Sequence, residues 1–110
     1  MDFTHSTQCL DYLGRLQRFI ADEVAPLERS ILEQNRALNP AGDWQNWSLV
    51  PEVETLKQKA KTLGLWNLFL PDADLGQGLS CLDYAPLAEE TGRILFAPEI
   101  FNCNAPDTGN

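Results

Sequence analysis

The sequence has 110 residues and carries 16 acidic against 8 basic side chains, which gives a net charge of −8. Its length is near the common size of a single domain, and its negative charge argues against nucleic acid or an anionic membrane surface as a partner. No apolar stretch reaches the roughly 18 residues of a transmembrane helix, and the first residues lack the basic and apolar regions of a signal peptide.

The cysteines and the single histidine indicate neither a metal site nor a disulfide framework. Cys9, Cys81 and Cys103 lie far apart and form no C-x-x-C pair, so no zinc site is predicted. Free thiols indicate a reducing compartment, and we therefore expect a cytoplasmic protein. His5 lies near the N-terminus and has no evident catalytic partner.

The first third of the chain predicts two helices separated by a kink. From the candidate N-cap Ser6, apolar residues recur at spacings of three and four, which is the period of one helical face. Pro26 lacks an N–H group and disfavours helix at the residue before it. We therefore expect a kink or short break near Pro26 and a second helix to about Leu38. The stripe consists of Leu10, Leu13, Leu16, Ile20, Val24, Leu27 and Ile31.

A loop and a third helix follow. Trp44 and Trp47 come after the loop-like segment 39–43; tryptophans in such a loop usually anchor it on the core, and ligand stacking is the alternative. Pro51 to Leu63 predicts a helix, because proline and acids come first, lysines come late, and Gly64 follows as a left-handed end residue. The lysines are most simply a solvated helix end, with a phosphate clamp as the alternative.

The second half predicts a turn-rich segment and a fourth helix. Residues 65–70 form an apolar run that is either a buried strand or a compact turn, since periodicity does not separate the two. Residues 71–78 have the composition of a turn, and Ser80 and Asp83 have the spacing of a capping box that opens a helix to about Gly92. The elements together predict an all-α fold of four to five helices. The positions able to face inward in the last helix are Leu82, Leu87, Ala88 and Thr91.

No catalytic residue is predicted in this chain. Glu89 and Glu90 are neighbours on a helix, so their side chains point about 100° apart and do not form a dyad. Gly76 and Gly78 do not open a dinucleotide fingerprint, because Cys81 stands where the third glycine would be. We expect these glycines to supply the backbone angles of a tight turn.

Large apolar side chains near the end of the sequence have little after them that could cover them. The residues that follow are polar or small. Because large uncovered apolar patches mark contact sites, we expect a docking surface here. Its members are Ile94, Leu95, Phe96, Ile100 and Phe101.

Several motifs in order resemble the N-terminal helical domain of the acyl-CoA dehydrogenases, and the match covers most of the chain. Residues 10–28 resemble the opening helix of the family with its V-x-P ending, and residues 61–71 resemble its L-G-L-W … P signature. Residues 76–80 resemble the G-G-x-G-L-S turn, although Leu75 replaces the first glycine. Residues 87–110 resemble most closely a branch of larger-chain enzymes, and they include the family's E-E-x-x-R helix.

The resemblance implies an FAD-dependent oxidoreductase of fatty acid metabolism that dehydrogenates the α,β bond of an acyl-CoA. A carboxylate takes the α-proton while the β-hydrogen leaves as hydride to the flavin. In the family, a middle β-domain and a C-terminal helical domain hold the base and most FAD contacts. Both are absent here, so we expect residues 1–110 to be an N-terminal-like helical domain, incomplete at its C-terminal end and inactive alone.

The resemblance also implies a site and partners. Helices of this domain wall one side of the acyl pocket in the family. By position, residues 99–110 form the candidate wall, and its candidate residues are Glu99, Ile100, Phe101 and Cys103. Ordinary core or interdomain packing is the alternative. Expected partners are the remaining domains, the acyl-CoA and further copies of the parent in a homo-oligomer. The rival hypothesis is a free-standing helical interaction module that uses the segment Ile94–Phe101.

Overall fold

The computed structural model describes residues 4–103, apart from the Trp44 side chain, and this part of the chain is helical with no strand. The predicted all-α fold of four to five helices is confirmed. The α-helices are α1 (Thr7–Phe19), α2 (Glu28–Leu38), α3 (Pro51–Thr62), α4 (Cys81–Thr91) and α5 (Ala97–Ile100).

The kink predicted near Pro26 is present and consists of two irregular helical turns between α1 and α2. A π-helical turn spans Ile20–Val24, and a 3-10 turn spans Ala25–Leu27. The Ala25 N–H donates to the Ile20 carbonyl, five residues back rather than four. This wider turn accommodates Pro26, which has no N–H and whose ring would crowd a regular α-helical carbonyl.

The apolar stripe of the first two helices is mostly buried, as predicted. Its four best-buried members lie in the core, and two more pack partly against it. Leu10 is the exception, because it is exposed on the first turns of α1. The buried members are Leu16, Ile20, Val24 and Ile31, and the partly buried ones are Leu13 and Leu27.

The third helix ends as its sequence predicts. Pro51 stands at its first position, and α3 closes at Leu63, followed by Gly64 with φ +74°. The residues that follow do not form a strand: 65–70 form turns in which Leu65 and Leu68 are buried. A compact turn is therefore the correct alternative for this segment.

The fourth helix runs beside the first in the same direction. Ser80 caps α4 by accepting from the Asp83 N–H at 3.1 Å, and the Asp83 carboxylate accepts from the Ser6 hydroxyl, itself the cap of α1, at 2.8 Å. Near the other ends, the Gln17 amide donates to the Glu90 carboxylate at 3.5 Å. The first turns of both helices therefore meet, and so do their last turns.

The inward-facing positions predicted for α4 are only partly correct. Leu87 and Thr91 are buried and Ala88 is half-buried, whereas Leu82 is exposed. Leu82 lies in the first turn of α4 beside the exposed Cys81.

The apolar residues near the end of the sequence are mostly core, and the predicted docking surface is wrong for most of them. Ile94, Ile100 and Phe101 are buried, and the Phe101 ring meets Phe19 of α1 edge-on with centroids 5.5 Å apart. Helix α5 also packs against α3 and α4. Elements that precede this segment thus cover it. Only Leu95, which is 86% exposed, matches the prediction of an uncovered side chain.

Candidate functional site

The described part of the predicted wall, residues 99–103, lies at the C-terminal end of α5, and residues 104–110 lie outside the described part of the chain. The helix stops after one turn because Asn102 takes a left-handed conformation, with φ +57°. The Cys103 N–H donates to the Pro98 carbonyl at 2.8 Å, and the Asn102 N–H donates to the Glu99 carbonyl at 3.1 Å. These two bonds are those of a Schellman motif, with Asn102 in the place usually taken by glycine.

The structure divides the four candidate wall residues into two pairs. Ile100 and Phe101 are completely buried in the core, where they pack among the helices. Glu99 and Cys103 are partly exposed. The two groups that lie at the surface are therefore a carboxylate and a thiol, and the two apolar side chains lie behind them.

The Glu99 carboxylate is paired with a lysine that is only 16% exposed. Lys57 on α3 donates to Glu99 at 3.1 Å and to Glu54 at 2.9 Å. Burial acts most strongly on the Lys57 pKa and lowers it, but the hydrogen bonds and charges of Glu54 and Glu99 together outweigh burial and raise the pKa. Lys57 therefore remains charged and neutralises the Glu99 carboxylate.

The other lysines of α3 are engaged as well. Lys59 pairs with Glu23 at 2.9 Å, and the Lys61 ammonium lies 4.4 Å from the centre of the Trp66 ring. The predicted solvated helix end thus holds for Lys59, which is about half exposed, but not for Lys57. The three ammonium groups contact different partners and do not converge.

Cys103 lies beside a partly buried tyrosine, Tyr84. Burial raises the pKa of Tyr84 above its ordinary value, and a hydrogen bond with Cys103 adds to this shift. Burial also raises the pKa of the Cys103 thiol, although the Tyr84 hydrogen bond opposes the change. The thiol donates to the Phe101 carbonyl at 3.3 Å. The raised pKa favours the protonated thiol at Cys103.

Asn67 connects the turns after α3 to the end of α5. Its N–H donates to the Phe101 carbonyl at 3.1 Å, and its side-chain oxygen accepts from the Asn102 amide at 2.7 Å. Its own amide donates to the Leu75 carbonyl at 3.0 Å. Like Asn102, it is left-handed, with φ +60°. Sequence reasoning did not single out either asparagine, although a polar residue inside the apolar run 65–70 is the signal that could have done so.

The turn at 71–78 is compact around a glycine. Gly76 is buried, and a Cβ added there would lie 2.3 Å from the Leu70 carbonyl oxygen. The Asp72 carboxylate accepts from the N–H groups of Asp74 and Leu75, and these two bonds lower its pKa. Close packing thus explains why glycine is needed at position 76, whereas a left-handed φ of +71° explains the glycine at position 78.

A shallow groove of about 280 Å³ lies between α2, α3 and α5. Leu49 and Leu95 are its most exposed apolar side chains. Trp47 lies nearby and is 56% exposed, with its indole N–H donating to the Pro40 carbonyl at 3.1 Å. The expectation that Trp47 anchors its loop on the core is therefore wrong, because the loop closes on its own backbone.

Within residues 4–103, no group of three His, Cys, Asp or Glu side chains is placed to hold a metal ion. None of the helices in that part of the chain combines the length and the hydrophobicity that a membrane span requires.

The chain is similar to acyl-CoA dehydrogenases in both sequence and fold. No family model matches it. It is 47% identical to Acyl-CoA dehydrogenase family member 11 of Rattus norvegicus, over 98% of this chain and 13% of that protein. It is 46% identical to Probable acyl-CoA dehydrogenase FadE2 of Mycobacterium tuberculosis, over 100% of this chain and 26% of that protein. The solved "Structure of a putative acyl-CoA dehydrogenase from Mycobacterium abscessus" has a TM-score of 0.83 and 48% identity, over 97% of this chain and 27% of that chain.

The resemblance to the acyl-CoA dehydrogenase family is confirmed. The chain spans about 13% of the animal relative and about a quarter of the two mycobacterial proteins, so it corresponds to one segment of them. Because the structural match includes nearly the whole chain, the helices α1 to α5 reproduce that segment of the acyl-CoA dehydrogenase fold.

Proposed function

We propose that this chain is the N-terminal helical part of an FAD-dependent acyl-CoA dehydrogenase, and that it supplies one wall of the acyl pocket and an interface to the other domains. The observation that carries the proposal is the match of 97% of the chain to a single segment of an acyl-CoA dehydrogenase structure, at 48% identity. The parent enzyme would oxidise the CH–CH bond of an acyl-CoA.

The wall residues of this proposal are Glu99, Ile100, Phe101 and Cys103. A protonated thiol presents a small, weakly polar surface that suits an alkyl chain. Glu99 would be unfavourable beside an alkyl chain if its charge were uncompensated, and Lys57 compensates it at 3.1 Å. The buried pair Ile100 and Phe101 gives the wall a rigid support. In this assignment the chain shapes and orients the substrate, and it supplies no catalytic group.

The second half of the described chain, residues 65–103, does not fit an FAD site of its own. A flavin dinucleotide needs several donors around its diphosphate, and Arg93 is the single cation between residues 65 and 103. It pairs with Glu90 at 3.1 Å. Lys57 and Lys59 are also paired with carboxylates. We therefore assign FAD binding and the catalytic base to the middle β-domain and the C-terminal helical domain of the parent.

The compartment and the assembly belong to the same proposal. Cys9, Cys81 and Cys103 are free thiols in the structure, which supports a reducing compartment such as the cytoplasm. We propose that the parent protein forms a homo-oligomer, by analogy with its family. The free-standing interaction module is not favoured, because most of the surface that would have served it is buried.

The test compares the 110-residue chain with the full-length protein that contains it. Both are titrated with FAD and with a long-chain acyl-CoA, followed by visible absorbance and calorimetry. We expect one FAD per full-length chain, bleaching of the flavin absorbance by acyl-CoA, and no binding to the 110-residue chain. Stoichiometric FAD on the short chain would contradict the division of labour, and a full-length protein without flavin would contradict the proposed enzyme.

A further inference from the structure

We propose that Asn67 is a positioning residue for the pocket wall: through Asn102 it fixes the path of residues 99–103. The expected effect on substrate binding rests on the proposed function, whereas the contact between the two asparagines is observed in the structure. Asn67 and Asn102 are 35 residues apart in sequence, and their side-chain amides meet at 2.7 Å.

The two asparagines hold conformations that few residues adopt. Both have φ near +60°, a region that glycine and asparagine populate much more readily than other residues. Glycine would satisfy the backbone at either position. The side-chain amide is what asparagine adds, and here each amide is used in a contact between two segments rather than within its own turn. The contact therefore gives a reason for asparagine at both sites.

Asn102 controls where the wall segment goes. It stands between the buried Phe101 and the partly exposed Cys103, and its left-handed backbone sets the direction in which the chain leaves α5. Helix α5 has four residues, so it contributes little stability of its own. The position of Cys103 thus depends on the bonds that hold this end of the helix.

Asn67 makes two hydrogen bonds to the wall segment and a third to the turn that follows it, residues 71–78. The N–H bond to Phe101 and the amide contact with Asn102 fix the wall segment, while the bond to the Leu75 carbonyl fixes Asn67 to the turn. That turn is itself packed closely at Gly76, where no Cβ would fit. Asn67 therefore connects the closely packed turn to the end of the short helix α5 and holds that end in place.

The experiment uses the full-length protein and the variants Asn67→Gly, Asn102→Gly and the double variant, which keep the left-handed backbone and remove the amides. The matched control is Asn46→Gly, which removes an amide that donates to Asp43 at 2.7 Å in the remote loop. Three quantities are measured: FAD content, the KM and kcat for a long-chain acyl-CoA, and hydrogen exchange of the amides of residues 101–103.

We expect Asn102→Gly, which loses one hydrogen bond, to raise KM about five- to tenfold, with kcat and FAD content close to wild type. Asn67→Gly also loses the bond to the Leu75 carbonyl, so its KM should rise at least as much. The double variant should be no worse than Asn67→Gly, because both lack the amide contact with Asn102. Exchange at Asn102 and Cys103 should accelerate in all three variants and stay unchanged in Asn46→Gly.

Two outcomes would overturn the inference. The first is a KM and exchange pattern equal to that of the Asn46→Gly control. The second is an additive effect in the double variant, which would mean that the two amides act separately. If the wild-type protein lacks flavin and activity, the proposed function fails, and the exchange data still decide whether Asn67 holds residues 101–103.

Discussion

Two apolar-rich segments of this chain, residues 94–103 and residues 47–50, differ in how far the rest of the fold covers them. Residues 94–101 are predicted to form an exposed docking surface, yet Ile100 and Phe101 are completely buried. Trp44 and Trp47 are predicted to anchor their loop on the core, yet Trp47 and Leu49 are exposed and only Val50 of the segment 47–50 is buried. The Trp44 side chain lies outside the part of the chain that the structure describes. Hydrophobic content alone therefore did not decide burial; the elements that pack over each segment did.

The two segments differ in the number of other elements of the fold that contact them. The segment 94–103 is held by the ring of Phe19 on α1, by Lys57 on α3 and by Asn67 in the turns after α3. The loop before α3 is held mainly by itself: Asn39 donates to the Ser48 carbonyl at 2.9 Å and accepts from the Ser48 N–H at 2.5 Å. One segment is integrated in the fold, and the other is closed on its own backbone.

The largest test of this contrast is truncation of Phe101. Because its side chain is fully buried, we expect Phe101→Ala to lower the free energy of unfolding by about 3–5 kcal/mol. Leu95→Ala is the control, because Leu95 lies just before α5 and is 86% exposed. It should change the free energy of unfolding by less than about 0.5 kcal/mol. Urea unfolding of the purified chain measures both. Equal effects of the two variants would show that the segment is not core.

The second test addresses the turn that supports the buried segment. Gly76→Ala places a Cβ 2.3 Å from the Leu70 carbonyl oxygen and 2.6 Å from the Leu70 Cβ, so the backbone must move. We expect a loss of about 1–3 kcal/mol in unfolding free energy. Gly14→Ala is the matched control, because its nearest neighbour is the mobile end of the Arg18 side chain at 3.4 Å. It should be neutral or slightly stabilising, since alanine favours a helix.

Much of the fold could be predicted because its signals are local. The cap at Ser80, the proline at the first position of α3 and the left-handed Gly64 each determine an element end through neighbouring residues. The candidate site was harder to predict from the sequence. The contact between Asn67 and Asn102 joins residues 35 apart, and no periodicity or spacing in the sequence indicates such a pair.

The same limit explains the error on Phe101. Its burial depends on Phe19, far away in the sequence, whose ring packs against it only once α1 and α5 have come together. The family resemblance suggested a candidate wall segment by position, but it did not indicate which of its side chains face the core. That division, with Glu99 and Cys103 partly exposed and Ile100 and Phe101 buried, required the packed structure.

The third test concerns the ion pair between α3 and α5. Lys57→Met leaves the carboxylates of Glu54 and Glu99 without their shared partner, and we expect it to cost about 1 kcal/mol, near the upper end for partly exposed pairs. Arg29→Met, whose pair with Glu33 is far more exposed, is the control and should cost less.

This ion pair also predicts a pH dependence. The folded-state pKa of Lys57 is raised above 10.5, so its contribution to stability is fully present below that value and disappears as the pH rises through the folded-state pKa. The difference in stability between wild type and Lys57→Met should therefore narrow at high pH. A difference that stays constant across this range would indicate packing of the lysine stem rather than charge.

The smallest expected effect comes from the exposed loop. Because Trp47 is 56% exposed, we expect Trp47→Phe, which removes the indole N–H bond to Pro40 but retains an aromatic ring, to change the unfolding free energy by less than about 0.5 kcal/mol. Trp66→Phe is the comparison variant: Trp66 is half-buried and stacked under Lys61, so its replacement should cost more. Acrylamide quenching of tryptophan fluorescence tests the same contrast. The Trp66→Phe variant, which retains the exposed Trp47, should be quenched more strongly than the Trp47→Phe variant, which retains the half-buried Trp66. A loss of 2 kcal/mol or more in Trp47→Phe would mean that the loop depends on the core after all, and the distinction between an integrated segment and a self-closed one would be lost.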